Sequence, residues 1–489
     1  MKNILKYSII IVLLITGCTK DDWMNPVPIT SLDEQFVFDT KDRIESQVNA
    51  MYASLKSGQH LGGRFLVYND LRADNFLPKS SNLVTCFATW NHTAIASTNE
   101  VQNLWGAVYS TINVVNIFLE GLTAAWGEGK ITGFITEAEY NQFRSEALTI
   151  RALCYFNLMQ MYSKPYHMGN GDNRGVPLRL IGYKTTEGND MAPSKVSEIY
   201  TQILKDLNDA EPLSYVSFGT SKYLNLTRIH RNTIIALKTR VYLHMHNWAQ
   251  VVAESAKIVP NTAPFTASSG VAYTLNPVYA DVFKSPHSTM ETILSMPNTS
   301  ANNAGTQNHL AHYFGSGSSE SYYLVKSAGS LYESMDATDA RKLMMGTSGG
   351  NSFLTKYVDQ STRTDYVPVI RWAEVLLNRA EALVRGGGPI DAEVVGLLNA
   401  VRTRSFPTGA YDVTDFGTPQ DFYDAILLER NMEFLGEGIR NMDLMRLGLT
   451  IPGKSSASFG TVGAVDASNQ SYIWPVPVNE LSYNNLMTP

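Results

Sequence analysis

A chain of 489 residues is long enough to bury a large hydrophobic core, in one large domain or in two to three ordinary ones. Hydrophobic residues make up 44% of the chain and charged residues only 17%, which indicates a globular protein whose surface is rich in uncharged polar groups. The net charge of −6 excludes the basic surface that nucleic-acid-binding proteins require.

The first residues have the features of a secretory signal. A basic start precedes an apolar run from Tyr7 to Ile15, which is too short to span a bilayer. The run ends in the tetrapeptide ITGC, which resembles the lipobox of bacterial lipoproteins and has Cys18 as its last residue. We therefore predict a signal peptide over residues 1–17, lipidation of the Cys18 thiol, and a lipidated tether over residues 18–31. The alternative is an ordinary signal peptide in which Cys18 is incidental.

Helical periodicity dominates the chain after this tether. Apolar residues recur every three or four positions in the segments 41–56, 100–120, 137–162, 194–210, 231–258, 370–385, 391–404 and 420–436. Thr136 and Glu139 stand in front of the third segment with the spacing of a capping box. Since strand patterns are few and short, we predict a mostly α protein.

Two stretches have the pattern of a helix–turn–helix pair. Small residues recur in 234–258 around a turn near Asn247, and in 372–401 around a Gly-Gly-Gly-Pro turn. Small residues allow two helices to approach closely, as in tetratricopeptide repeats. The two pairs are far apart in the chain, so they do not form a tandem array.

Two long inserts interrupt the helical pattern. Residues 58–99 and 260–330 are rich in Gly, Ser, Asn and aromatic residues. Loops of this length in a compact protein are usually functional or disordered. We therefore expect the inserts to contribute to the functional site.

Four blocks of sequence, in the same order, resemble the SusD/RagB family of outer-membrane nutrient-binding lipoproteins. They are FRSEALTIRALCYFNLMQMY at 143–162, RAEALVRGG at 379–387 with LLNAVRTRS at 397–405, ILLERNMEFLGEGIRNMDLMRLG at 426–448, and IWPVPVNEL at 473–481. The family usually has a glycine at the turn of its first helix pair, where this chain has Met245-His246-Asn247. The difference concerns the geometry of that turn.

The resemblance implies a mostly α, SusD-like α-helical fold with degenerate tetratricopeptide-like helix pairs and long loop inserts. It would cover residues 32–489 as a nutrient-binding domain, with halves of about 32–215 and 216–489. The implied role is that of a binding protein without catalytic activity and without a cofactor. Such a protein captures an oligosaccharide, or in some members an oligopeptide, and delivers it to a SusC-like TonB-dependent β-barrel transporter.

The resemblance also implies a location. The protein would be anchored by lipid in the outer membrane and would face the cell exterior. The acidic pair Asp21 and Asp22 agrees with this location, because it resembles the tag that directs some lipoproteins to the outer face. A surface lipoprotein enzyme, or an adhesion lipoprotein without a small ligand, are the alternatives.

Three carboxylates near the C-terminus raise the alternative of a glycoside hydrolase. Glu429, Glu433 and Glu437 would share one helical face if the helix continues through Gly436, and glycosidases use two carboxylates about 5–10 Å apart. Arginines surround this face, however, and a neighbouring arginine lowers the pKa of a carboxyl and makes it a poor general acid. We interpret the charged residues as structural ion pairs between the last helix and the repeat scaffold; the set is Glu429, Glu433, Arg430, Arg440, Arg379 and Arg402.

Other catalytic and metal-binding patterns are weak. The sequence GTSGG at 346–350 matches G-x-S-x-G but lacks the flanking strand and helix of a nucleophile elbow, so we predict a surface loop. His244 and His246 are two positions apart on a predicted helix and do not face each other. His309 and His312 lack a third ligand. We predict no metal site, with calcium bound by loop carboxylates as the alternative.

Side chains of the first insert are the main candidates for ligand binding. An aromatic ring can stack on the apolar face of a sugar, while Asp, Asn and Arg bond its hydroxyl groups. Trp90 lies in a polar loop with no periodic pattern that would bury its indole. The resemblance implies that this insert forms part of the ligand site, so we predict that Asp74, Trp90 and Asn91 bind ligand. The alternatives are a packed anchor for Trp90 and turn-capping roles for Asp74 and Asn91.

The second insert adds three tyrosines to these candidates. Tyr313, Tyr322 and Tyr323 flank a loop of small residues from Gly315 to Ser321. Tyrosines beside such a loop are adaptable contacts, so we predict them as further ligand-binding residues. The alternative is ordinary packing, since the chain contains 25 tyrosines.

Two cysteines remain besides Cys18. Cys154 lies on the apolar face of the 137–162 segment and is predicted to be a buried thiol. Cys86 lies in the first insert. A disulfide between Cys86 and Cys154 is the alternative in an oxidising compartment.

Overall fold

The computed structural model describes residues 37–185 and 187–488, and helices make up most of its regular structure. The predicted signal peptide, the lipidated Cys18 and the tether lie outside the described residues. Within the described ranges, the helices are all too short or too polar to cross a membrane.

Helices and short strands follow one another along the described chain. The helices are α1 (Lys41–Leu55), α2 (Arg64–Arg72), α3 (Phe87–Trp90), α4 (Asn99–Gly127), α5 (Glu137–Tyr162), α6 (Val196–Ala210), α7 (Lys222–Thr227), α8 (Arg231–His244), α9 (Trp248–Ala256), α10 (Leu310–Phe314), α11 (Leu331–Ser334), α12 (Trp372–Arg385), α13 (Ala392–Ser405), α14 (Pro419–Glu433), α15 (Arg440–Arg446) and α16 (Val478–Tyr483). The strands are β1 (Phe76–Pro78), β2 (Thr292–Met296), β3 (Tyr322–Leu324), β4 (Met345–Ser348), β5 (Asn351–Leu354), β6 (Val367–Arg371), β7 (Lys454–Ser456) and β8 (Gly460–Val462). The predicted mostly α fold is confirmed.

Helix α5 matches its predicted bounds at both ends. The capping box is formed, because Thr136 Oγ1 accepts from the Glu139 amide at 3.3 Å and the Glu139 carboxylate accepts from the Thr136 amide at 2.9 Å. Every side chain from Ser145 to Tyr162 is buried, since α1, α4 and α6 all pack against this helix. The same hydrophobic core extends from Ile44 to Met487.

Both predicted helix–turn–helix pairs are present. Helix α8 packs against α9, α12 packs against α13, and α9 also packs against α12. The turn between α8 and α9 has His246 in the left-handed region at φ 58°, where glycine is more usual. The His246 ring stacks on His167 at 4.5 Å and on Trp248 at 4.7 Å, and Asn247 caps α9 through the amide of Gln250. These contacts hold the turn in place without a glycine.

The strands of the described chain form antiparallel pairs. Strand β1 pairs with β3, β2 with β6, β4 with β5, and β7 with β8. The GTSGG sequence at 346–350 belongs to the β4–β5 hairpin, and its exposed tip contains Ser348 and the two glycines that follow. Ser348 therefore lies in a hairpin rather than at a strand-to-helix turn, as a nucleophile elbow would require.

Sequence patterns missed two helices in the first insert, α2 and the four-residue α3. Helix α2 is buried along its whole length, and its apolar residues run consecutively from Phe65 to Tyr68 instead of recurring every three or four positions. It places the charged residues Arg64, Asp70 and Arg72 inside the protein. The insert is therefore a structured part of the core.

Cys86 and Cys154 are both buried free thiols. This confirms the buried thiol predicted for Cys154 and contradicts the alternative of a disulfide. Burial raises the pKa of the Cys86 thiol to about 12, so that it stays protonated at neutral pH.

Candidate functional site

A hollow of about 470 Å³ lies where the first insert meets the C-terminal helices. Its walls come from the segment before β1, the segment after β3, α11, α14, the start of α15 and the segment before β7. Its charged and amide side chains are Asp74, Asn75, Asp424, Asn431 and Arg440, and its large exposed apolar side chain is Leu428. We call it the Asp74–Arg440 hollow.

An ion pair between Asp74 and Arg440 lines this hollow. Arg440 Nε and Nη2 each donate to one carboxylate oxygen of Asp74 at 3.0 Å, which is a bidentate geometry. Burial by itself would raise the pKa of Asp74, but the hydrogen bonds and charge of Arg440 outweigh burial and lower the pKa. Asp74 is therefore ionised at neutral pH. Arg440 keeps its Nη1 group, which donates to none of the described residues.

Two amide side chains continue the polar lining. Asn75 Nδ2 donates to Asn431 Oδ1 at 2.8 Å, which leaves the Asn75 oxygen and the Asn431 nitrogen for other partners. Leu428 and Asp424 lie one and two turns before Asn431 on the same face of α14. Asp424 and Leu428 are exposed, and Asp424 accepts a hydrogen bond from Gln420 at 2.8 Å. The hollow thus combines hydrogen-bond donors, acceptors and one exposed apolar side chain.

Trp90 does not reach this hollow, so the prediction that it stacks on a ligand is wrong. Its side chain has 0% exposure, and its indole Nε1 donates to the carbonyl oxygen of Phe76 at 2.8 Å. Lys454 Nζ lies 5.4 Å from the ring centroid and donates to the carbonyl oxygen of Ala73 at 2.8 Å. Trp90 is therefore a packed anchor behind the segment that carries Asp74.

The tyrosines of the second insert do not line the hollow either. Tyr313 and Tyr322 are buried, and both hydroxyls donate to backbone carbonyl oxygens at 2.8 Å. Their predicted ligand contacts are wrong because the antiparallel pairing of β3 with β1 draws this insert into the core. Tyr323 is half-buried and packs edge-on against Phe353 at 6.3 Å.

Asn91 has the turn-capping role that was the alternative to ligand binding. Its Oδ1 atom accepts from the backbone amide of Thr93 at 3.2 Å and from the Thr93 hydroxyl at 2.5 Å. Of the six residues predicted to bind ligand, Asp74 alone lines the Asp74–Arg440 hollow.

The carboxylates near the C-terminus belong to a buried network of five acidic and five basic side chains. The acidic residues are Asp339, Glu291, Glu429, Glu433 and Glu437, and the basic residues are Arg341, Arg371, Arg402, Arg404 and Lys356. Helix α14 ends at Glu433, so Glu437 does not continue the expected helical face. Its carboxylate nevertheless bonds Arg371 and Lys356 at 2.8 Å.

The other arginines that we assigned to structural ion pairs also have carboxylate partners. Arg430 Nε lies 2.8 Å from Asp443, and Arg379 Nη2 lies 2.6 Å from Glu393. Arg440 pairs with Asp74 in the hollow. Arg440 therefore forms a structural ion pair and also lines the candidate site.

This network is poorly suited to acid–base catalysis. Glu433 is fully buried. Burial would raise its pKa, but Arg404, Arg371 and Arg341 lower it to about 2. A general acid needs a pKa near the working pH, which this environment opposes. Among residues 37–185 and 187–488, no group of three or more His, Cys, Asp or Glu side chains is arranged to hold a metal ion.

Asn75, Asp424 and Asn431 were not among the predicted site residues. The available signal was the spacing of Asp424, Leu428 and Asn431 on one face of α14, opposite the buried Glu429. A helix that is buried on one face and carries exposed polar groups on another can form one wall of a site. The residues of the opposite wall come from distant segments, so the spacing within α14 does not reveal them.

The comparisons with known proteins agree with this architecture. A family model described as the SusD family matches residues 157–488, and one described as starch-binding associating with outer membrane matches residues 22–243. The SusD-like protein P38 of Formosa agariphila is 23% identical over an alignment 511 residues long, gaps included, and the alignment covers 92% of this chain and 91% of that protein.

Solved structures share the fold over nearly the whole chain. A SusD superfamily protein from Bacteroides fragilis has a TM-score of 0.81 at 30% identity, covering 93% of this chain and all of that one (100%). The surface glycan-binding protein A from Bacteroides thetaiotaomicron, solved in complex with laminarihexaose, has a TM-score of 0.69 at 18% identity and covers 91% of this chain and 97% of that one. Since the first family model spans well over half of the sequence, the chain belongs to the SusD/RagB family.

Proposed function

We propose that this protein is a cell-surface lipoprotein that captures an oligomeric glycan in the Asp74–Arg440 hollow. We further propose that it hands the glycan to a SusC-like TonB-dependent transporter in the outer membrane. The observation that carries the proposal is the convergence of free polar groups in one hollow. These are Arg440 Nη1, the Asn431 amide nitrogen, the Asn75 oxygen and Oδ2 of Asp424.

A glycan suits this set of groups because its hydroxyls both donate and accept hydrogen bonds. Arg440 is held by Asp74, so its free Nη1 group is already oriented when a ligand arrives. The complex of the surface glycan-binding protein A with laminarihexaose supports the glycan class. The absence of an aromatic ring from the lining residues of this hollow leads us to expect micromolar binding, on the order of −8 kcal/mol at most.

The location rests on two further observations. The ITGC sequence that ends at Cys18 supports lipidation, and one matching family model is described as associating with the outer membrane. Binding without catalysis is supported by the carboxylate network, whose arginine partners keep Glu433 ionised.

The test is calorimetric titration of the full chain, purified in detergent, with neutral oligosaccharides including laminarihexaose and with mixed oligopeptides. Arg440→Gln removes the cation that lines the hollow. We expect it to weaken glycan binding at least tenfold, because hydrogen bonds to charged groups contribute about 1.5–3 kcal/mol. Arg379→Gln is the matched control, since Arg379 also pairs with a single carboxylate, that of Glu393, but lies outside the hollow.

Each outcome decides between alternatives. Equal glycan affinity of Arg440→Gln and wild type would place the site elsewhere. Binding of peptides instead of glycans would change the ligand class to the oligopeptides that some family members take. Hydrolysis of a bound glycan would favour the alternative of a surface hydrolase. Delivery is tested by purification from outer membranes, where the absence of a TonB-dependent barrel among co-purifying proteins would contradict that part of the proposal.

A further inference from the structure

Helix α7 lies between two hollows that share no lining residue with the Asp74–Arg440 hollow. One, of about 250 Å³, is lined by α1, α7 and the segment after β2. The other, of about 370 Å³, lies on the opposite side of α7 and includes Lys222, Asn225 and Tyr273. Successive residues of α7 therefore contribute to different depressions of one surface.

Aromatic rings are concentrated on this surface. Tyr223 of α7 is 53% exposed and lines the smaller hollow together with the half-buried Tyr52. Tyr366 is also half-buried, and its segment meets the segment after β2, because Asn298 Nδ2 donates to the carbonyl oxygen of the adjacent Asp365 at 2.8 Å. Tyr223 adds to burial in raising the pKa of Tyr366. The Tyr366 ring is stacked on His287 at a centroid distance of 4.4 Å.

The Tyr52 ring is held rigidly. The Tyr52 hydroxyl donates to Glu146 at 2.5 Å and accepts from the Ile229 amide at 2.8 Å. The guanidinium of Arg228 lies 5.2 Å from the Tyr52 ring centroid and is itself fixed by two hydrogen bonds to Glu146, at 2.6 and 2.7 Å. A rigid ring binds a flat ligand face with little loss of conformational entropy.

Polar groups suited to hydroxyls surround these rings. Lys56 Nζ donates to the carbonyl oxygens of Pro297 at 2.8 Å and Asn302 at 3.1 Å, and a third N–H of the ammonium remains. The side chains of Asn49 and Asn302 are exposed at the smaller hollow. An apolar ring face bordered by amide and ammonium groups matches the apolar face and hydroxyl edge of a pyranose.

We infer that this surface, which we call the Tyr223 face and define by Tyr223, Tyr52, Tyr366, Asn49, Asn302 and Lys56, is a second glycan-contact site. The ligand class rests on the proposed function, whereas the location rests on the tyrosines and hollows. The Asp74–Arg440 hollow supplies polar contacts without an aromatic ring, and the Tyr223 face supplies aromatic surface. A polysaccharide long enough to reach both sites would be retained by avidity, which a short oligosaccharide cannot use.

Affinity electrophoresis of the full chain in detergent gels tests the inference, with laminarin and soluble starch as the immobile probes. We expect the affinity of Tyr223→Ala for the polysaccharide that retards the wild type to fall at least threefold. Its affinity for a short oligosaccharide of the same glycan should equal that of the wild type. Tyr223→Phe should bind as the wild type does, because it keeps the ring. Tyr483→Ala is the matched control, since Tyr483 is 80% exposed on α16 and lies outside all three hollows.

The outcomes separate this inference from the proposed function. The second site would be overturned if the polysaccharide retarded Tyr223→Ala as strongly as the wild type, or if Tyr483→Ala lost as much affinity as Tyr223→Ala. In either case, weaker glycan binding by Arg440→Gln would still support the proposed function. If neither polysaccharide retards the wild type and the oligosaccharide titrations are also silent, glycan binding fails and the second site fails with it. A thermal unfolding scan of each variant shows whether a loss comes from unfolding.

Discussion

Replacing Glu433 with glutamine removes one negative charge from the buried network and hardly changes the size of the side chain. The carboxylate accepts from Arg371 Nη1 at 2.9 Å and from Arg404 Nη2 at 2.6 Å, and Arg341 Nη1 lies 3.6 Å away. All four side chains are at most 4% exposed. In Glu433→Gln the three guanidinium groups would face a neutral amide in a region from which water is excluded.

Two lines of reasoning give the size of the effect. The pKa of Glu433 falls from 4.5 to about 2, and since one pKa unit corresponds to 1.36 kcal/mol, the charged form is favoured in the folded state by roughly 3 kcal/mol. Removing one partner of a buried ion pair typically costs about 3–5 kcal/mol. We therefore expect Glu433→Gln to lower the free energy of unfolding by at least about 3 kcal/mol.

The assay is urea unfolding followed by tryptophan fluorescence, with Asp209→Asn as the control. Asp209 pairs with Lys205 at 2.5 Å on the surface, so its loss should cost less than about 1 kcal/mol. Because the folded pKa of Glu433 is depressed, its stabilisation is present above pH 4.5 and is lost as the pH falls towards about 2. The gap between wild type and Glu433→Gln should narrow over that range. A loss no larger than that of Asp209→Asn, or a gap that does not change with pH, would refute the reasoning.

Two further predictions concern buried residues near the hollow. Trp90→Ala should lower the free energy of unfolding by about 3–5 kcal/mol, because it empties a packed site, and urea unfolding should show this even if ligand affinity is unchanged. Asp70 is buried, and burial raises its pKa from 3.8 to about 8, although it accepts from the Gly438 amide at 2.8 Å. The folded state therefore binds a proton that the unfolded state has released, and stability should fall as the pH rises from about 4 to about 8. Asp70→Asn should weaken that slope and stabilise the protein at pH 8; an unchanged slope would contradict the assignment.

The helical part of the fold could be predicted because its signals are local. Glu139 follows Thr136 closely enough to form the capping box, and the apolar positions of α5 recur within a few residues of one another. Helix α2 escaped prediction because it is short, no side chain caps its first turn, and its apolar residues run consecutively from Phe65 to Tyr68. A short apolar run of this kind does not distinguish a buried helix from a buried strand.

The candidate site was harder to predict because its residues meet across long sequence separations. Trp90 is buried partly by Lys454, and Asp74 is paired with Arg440, and neither partner is near in the chain. A polar loop sequence around Trp90 gave no sign of either contact. Asp74 could be named from the resemblance, whereas the neighbours that complete its surroundings required the tertiary structure.

The same long-range contacts determine how the Asp74–Arg440 hollow can work. The segment from Asn69 to Asn75 is joined to the C-terminal part of the chain at several points besides the ion pair. Asn441 Nδ2 donates to Asn69 Oδ1 at 3.2 Å, Asn75 Nδ2 donates to Asn431 Oδ1 at 2.8 Å, and Arg72 Nη2 donates to the carbonyl oxygen of Tyr472 at 2.7 Å.

Most of these groups are buried, so the bonds are shielded from competition with water. The two sides of the hollow are therefore fixed relative to each other before a ligand arrives. A ligand in such a site gains contacts from both sides without the entropic cost of ordering either one. Rigid preorganisation can thus contribute affinity in a hollow that lacks an aromatic stacking surface.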